Sequence, residues 1–147
     1  MFLETKYQQN LFGDVDMWLY FGEVFDTNTI KYQPVGFVYL IKNLTNGKMY
    51  VGKKLFTKSK SYQKNKKRKK TRVESDWQEY TGSNEKLNQD IASGHQVEKH
   101  ILHLCESKGW MSYLETKEIL MRDCLLSDNY YNDWFSCKVR RSHLKGK

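Results

Sequence analysis

The stretch GFVYLIKNLTNGKMYVGKK, residues 36–54, decides the fold. Two short apolar runs, Phe37-Val38-Tyr39-Leu40-Ile41 and Met49-Tyr50-Val51, flank Asn46-Gly47. Asn-Gly supplies the positive φ angles of a tight turn, and β-branched and aromatic residues favour strands on either side, so the stretch predicts a β-hairpin. Each strand carries one tyrosine. A hairpin brings Tyr39 and Tyr50 together, and Lys53 and Lys54 follow at once, a combination that suggests chemistry as well as packing.

Charge gives the next constraint. The net charge is +8 and the pI about 9.3. Residues 53–72 hold eleven Lys or Arg and no acid; the other fourteen basic residues face all seventeen acids, leaving 14 − 17 = −3 elsewhere. The positive charge is therefore one patch on a mildly acidic chain, and a patch of that density neutralises phosphates and releases their counterions. The run from Lys64 through Lys66, Lys67, Arg68, Lys69 and Lys70, together with Lys54, is the candidate nucleic-acid surface. Like charges so crowded repel, so residues 55–70 are expected to form a mobile loop. The basic tail, residues 138–147, offers Arg140 and Arg141 as a second phosphate contact.

At 147 residues one domain is expected. No apolar run approaches the roughly 20 residues that span a bilayer, and no apolar centre of a signal peptide stands near the start, so a cytoplasmic protein without a membrane partner is expected. Cys105, Cys124 and Cys137 show no paired spacing and fit a reducing compartment. His100, His103 and Cys105 invite a zinc reading, but on a strand His100 faces away from the other two, which argues against it.

Residues 1–33 are rich in aromatics (Phe2, Tyr7, Phe12, Trp18, Tyr20, Phe21, Phe25) without a sustained period. They read as an extension that packs on the domain, residues 34–147, or on a second copy of the chain in a homo-oligomer. Residues 72–80 suggest a short helix through Val73, Trp77 and Tyr80. Residues 85–93 suggest another, with Leu87 and Ile91 buried, and residues 96–106 a third strand. Ser112-Tyr113-Leu114-Glu115 reads as a capping box opening a helix to about Leu126, which assigns Glu115 a structural task. On that helix Leu114, Met121 and Leu125 make an apolar stripe whose i+4 position is Glu118. A carboxylate on such a stripe demands a partner such as a cation.

Together these features resemble the GIY-YIG nuclease superfamily, and most closely its small phage-encoded members. Tyr50-Val51-Gly52 matches the second half of the motif. Phe37-Val38-Tyr39 keeps the first tyrosine but has phenylalanine where the motif has glycine. A helical glutamate and a Tyr-Asn pair, Tyr131-Asn132, follow in family order. The resemblance implies an α+β fold, a small three-stranded antiparallel sheet flanked by helices, and hydrolysis of DNA phosphodiesters with Mg2+ or Mn2+. It implies Glu118 as metal ligand, Tyr39 as general base and Tyr50 as its partner on water or phosphate. Lys53 and Arg72 are implied to lower the Tyr39 pKa and neutralise the phosphorane, with Arg72 standing in for an arginine displaced by a basic insertion over residues 55–72, and Asn132 to position the glutamate or nearby backbone. The competing expectation is a DNA- or RNA-binding module that keeps the fold and patch without cutting.

Overall fold

The computed structural model describes residues 17–145. The quoted stretch forms the hairpin: β3 (Gly36–Asn43) pairs antiparallel with β4 (Met49–Leu55), setting Tyr39 opposite Gly52. Its connection is longer than an Asn-Gly turn. Only Gly47 is left-handed, at φ +79°, while Asn43 ties the loop by accepting from the amides of Thr45 and Asn46.

The expected third strand is β7 (Val97–Cys105), antiparallel to β3. The register slips between Val38 and Tyr39, leaving Leu102 unpaired as a bulge beside Tyr39. This antiparallel trio is one end of a larger mixed sheet. Short strands β1 (Trp18–Tyr20) and β2 (Glu23–Val24) extend it to five in the order β2-β1-β7-β3-β4, with β1 parallel to β7. The aromatics of the N-terminal segment thus enter the domain from Trp18 onward. Trp18 is 2% exposed, packs on Phe37 and Tyr39, and donates to the Trp77 carbonyl at 2.6 Å. The expected boundary at residue 34 therefore falls inside a shared core, and residues 1–16 of the expected extension lie outside the described residues.

β3 lies between β7 and β4, and both of its faces are buried. Phe37, Tyr39 and Ile41 join an aromatic cluster with Trp18, Phe56 and Trp77, while Val38 and Leu40 pack with Val51 under helix α2 (Lys108–Met121). Helix α1 (Glu85–Ala92), capped by Asn84, buries Leu87 as expected. The helix expected over residues 72–80 is absent. Arg72 and Val73 continue a strand, and the following turn drops Trp77 into the core, where aromatic packing outweighs the weak helical spacing.

The basic segment is likewise no loop. β5 (Thr57–Lys64) and β6 (Lys67–Glu74) form a two-stranded antiparallel hairpin apart from the main sheet. The period-2 alternation of Lys and Ser in β5 lets like charges project to the same side without breaking the backbone ladder.

The phase of α2 also differs from the sequence expectation. Its N-cap is Ser107, whose hydroxyl accepts from the Trp110 amide at 3.2 Å, so Ser112 lies inside the helix and there is no capping box at Glu115. Met111 and Ile119 are buried, whereas Met121 is 73% exposed. The inward stripe consequently runs Met111, Glu115, Ile119 at i, i+4 and i+8.

Candidate active site

β4 forms one edge of the sheet, and residues from both faces meet there. Tyr39 comes from one face, across Gly52. A Cβ on Gly52 would collide with the Tyr39 phenol, so the missing side chain lets that ring extend over β4 toward the edge. The Tyr50 ring lies 6.2 Å from that of Tyr39, and its hydroxyl is 3.1 Å from the Ser83 hydroxyl. A Cβ on Gly82, which sits at φ +87°, would stand 3.2 Å from the Tyr50 ring and 3.4 Å from the Tyr39 hydroxyl, so a larger residue there would crowd both tyrosines.

From the other face Lys53 donates to the Ser112 hydroxyl at 2.8 Å and lies 3.9 Å from Glu115. The tyrosines, Lys53, Glu115 and Asn132 line one cleft of about 570 Å3. Asn132 is 8% exposed and acts as a backbone clamp: its oxygen accepts from the Val51 amide at 3.0 Å and its amide donates to the Val51 carbonyl at 2.8 Å. It thereby fixes β4 between Tyr50 and Gly52. Tyr131 holds the same strand through its amide, 2.8 Å from the Met49 carbonyl.

Three expected site residues stand elsewhere. Glu118 accepts from His103 at 2.8 Å and from Arg122 at 2.9 Å and is not part of the cleft lining. Arg72 bonds Thr57 across the base of the β5–β6 hairpin. Lys54 pairs with Asp76 at 2.7 Å and sits 3.9 Å over the Tyr80 ring, so its charge is engaged inside the protein. Arg68 and the lysines from Lys64 to Lys70 lie on the exposed hairpin, while Arg140 and Arg141 are exposed at the start of the short helix α3 (Arg141–Leu144).

The electrostatics separate the two glutamates. Burial raises the Glu115 carboxyl above its ordinary range, with Lys53 opposing. For Glu118 burial acts upward too, but the bonds from His103 and Arg122 outweigh it and hold the carboxyl low. Burial pushes the Tyr39 phenol well above its usual value, aided by Tyr80, with which it is hydrogen-bonded, and by Tyr50. Lys53 is engaged by Ser112 and Glu115, and Arg72 is at the hairpin, so the expected lowering of Tyr39 by these two cations does not occur in the free protein.

This donor set suits a hard cation. Among the described residues no group of three or more His, Cys, Asp or Glu gathers as a closed metal cage. A single carboxylate, under-compensated in its ionised form and opening on a polar cleft beside Asp133, fits an ion that keeps several waters and takes phosphate oxygens.

A family model described as "Putative endonuclease segE, GIY-YIG domain" matches residues 18–135. The chain belongs to the GIY-YIG endonuclease family. The match begins at the first residue of β1 and spans the whole GIY-YIG hairpin, the clamp at Asn132 and both helices that bound the cleft. No curated protein and no solved structure matches the chain significantly. Among the described residues no helix is long and apolar enough to cross a membrane.

Sequence reasoning missed Glu115, Ser83 and Tyr80. For Glu115 a signal was present: Met111, Glu115 and Ile119 are spaced by four, and Ser107 is an alternative cap.

Proposed function

We propose that the chain is a divalent-metal-dependent DNA endonuclease whose metal is held by Glu115. The convergence of Tyr39, Tyr50, Lys53 and Glu115 on one cleft, with Asn132 clamping the strand between the tyrosines, carries this reading. Lys53 rather than Arg72 supplies the local cation. Glu118 serves the end of α2 through Arg122.

A bound Mg2+ or Mn2+ would supply positive charge to the scissile phosphate and the leaving oxygen. The protein contributes the rest. Glu115 would hold the ion by its carboxylate, and Lys53, steadied by Ser112, neutralises a non-bridging phosphate oxygen as charge develops. Tyr39, a neutral phenol in the free protein, orients the attacking water through its oxygen and, in the phenolate form left when its own proton has gone to solvent, accepts the proton of that water. Tyr50, placed by Ser83, donates to the phosphate. Asn132 keeps both phenols in register by holding Val51.

The proposed setting is the cytoplasm of a host cell, with a phage-encoded origin in keeping with the family. Cutting of both strands would call for a homo-oligomer, and the N-terminal segment keeps Phe21 87% exposed for such an interface. A plasmid-cleavage assay with and without Mg2+ tests the reading. Metal-dependent nicking or linearisation is expected. Binding that survives EDTA with no strand ever cut would leave the binding module instead.

A further inference from the structure

The cleft makes no use of the β5–β6 hairpin, and the two faces of that hairpin differ. Cross-strand register assigns each side chain to a face. One face carries Ser59, Ser61 and Gln63 opposite Arg72, Lys70 and Arg68; the other carries lysines 58, 60 and 64 around Tyr62, opposite lysines 67 and 69. Both arginines and the only amide side chain within the two strands thus share one face, while all its strand lysines except Lys70 lie on the other. Arg, Gln and Ser can read base edges, whereas lysine is a point charge suited to phosphate.

The hairpin is also built to be unsatisfied alone. Every residue of its two strands is exposed except Val73. Lys64 stands directly opposite Lys67, a destabilising pair, and the two-residue turn holds Lys66 at φ +62°, where glycine is the usual occupant. An isolated two-stranded ribbon is marginal in water, so a polyanion that relieves the repulsion would stabilise it. Eight residues per strand extend roughly 25 Å. Its two strands with their side chains match the major groove, about 12 Å wide, and not the minor groove, about 6 Å wide.

We propose that the β5–β6 hairpin is a β-ribbon that lies in the major groove of duplex DNA, its Arg68–Gln63 face toward the base edges and its lysine face reaching the flanking phosphates. This rests on DNA being the substrate. The role of the hairpin is then target preference and placement of the duplex, apart from the chemistry in the cleft. A-form RNA, with a deep narrow major groove, would not admit the ribbon.

The test is selection of bound molecules from a pool of random 30-base-pair DNA duplexes in EDTA, followed by sequencing, with the full chain, R68A/Q63A and K60A/K67A. The exposed positions leave folding intact, which circular dichroism verifies. The wild type is expected to enrich particular bases. R68A/Q63A should lose that preference at one or more positions while keeping its salt dependence within one unit of slope. K60A/K67A should keep the preference, bind more weakly, and show a log–log salt slope lower by about two. A pool in which 7-deazaguanine replaces guanine removes a major-groove acceptor and should weaken the wild type by about fivefold or more while leaving R68A/Q63A unchanged. Preference unaltered in R68A/Q63A, equal wild-type binding to both pools, or tighter binding to an RNA duplex would overturn the proposal. Because binding is read in EDTA, these outcomes are separate from whether the cleft cuts.

Discussion

Glu115 and Glu118, three residues apart on α2, point to different elements: Glu115 opens on the cleft 3.9 Å from Lys53, while Glu118 is bonded to His103 of β7 and to Arg122. The helix phase decides which carboxylate meets the tyrosines. With Ser107 as the cap, Glu115 shares the inward stripe with Met111 and Ile119.

Metal binding has a thermal signature. Adding Mg2+ in excess should raise the melting temperature of the wild type, because a ligand bound only by the native state stabilises it by RT ln(1 + [L]/Kd). Glu115→Gln should show no such rise. An equal rise in both proteins would move the ion away from Glu115.

The same residue predicts a pH dependence in EDTA. Its folded pKa is raised, so between the ordinary carboxylate value and the raised one the native state binds more protons than the unfolded chain. Stability from this group therefore falls as pH rises through that window. Glu115→Gln should lack this fall and be at least as stable as the wild type at pH 7. Glu118 has the opposite sign, since its depressed carboxyl contributes stability that is lost as pH falls. Glu118→Gln should cost about 1 kcal/mol near neutral pH, discounted for its partial exposure. Thermal melts across pH 4 to 8 check both directions.

Tyr39 predicts a rate profile. Its phenol is neutral near pH 7, so if it takes the proton of water, cleavage at saturating Mg2+ should climb between pH 7 and 9 without a plateau. Tyr39→Phe should lower the rate by about a hundredfold or more and flatten that climb. A steep residual climb in Tyr39→Phe would hand the role to Tyr50 or to hydroxide.

Two backbone positions guard the tyrosines. Gly52→Ala puts a methyl against the Tyr39 phenol and should cost about 1–3 kcal/mol with a loss of cleavage. Asn132→Ala leaves the Val51 amide and carbonyl without their clamp and should cost about 1–3 kcal/mol. Denaturant melts give both values; unchanged stability in either variant would contradict the clamp or the close approach.

The legible parts of this fold were those set by local pattern. The β3–β4 hairpin followed from the two apolar runs on either side of Asn46-Gly47, and α1 from Leu87 and Ile91, while residues 96–106 read as the strand that became β7. Tyr39, Tyr50, Lys53 and Asn132, which line the cleft, could be singled out because they lie on those strands or in a short motif. The rest depended on tertiary partners. β1 is three residues long and exists by pairing with β7 and burying Trp18. The β5–β6 hairpin was hidden by its charge, since repulsion suggested a loop although Lys and Ser alternate along β5. Glu115 was hidden by Ser112, a sound local cap signal that lost to Ser107 because Met111 is buried under the sheet.

The most direct test of the central claim compares Mg2+-dependent cleavage of supercoiled plasmid by the wild type, Glu115→Gln and Glu118→Gln. The arrangement of the cleft predicts a loss of about a thousandfold or more for Glu115→Gln, a cost of about 4 kcal/mol in the barrier. Glu118→Gln should stay within about threefold of the wild type, because its partners lie outside the cleft and the barrier changes by well under 1 kcal/mol. Abolished cutting in Glu118→Gln with activity retained in Glu115→Gln would contradict the account.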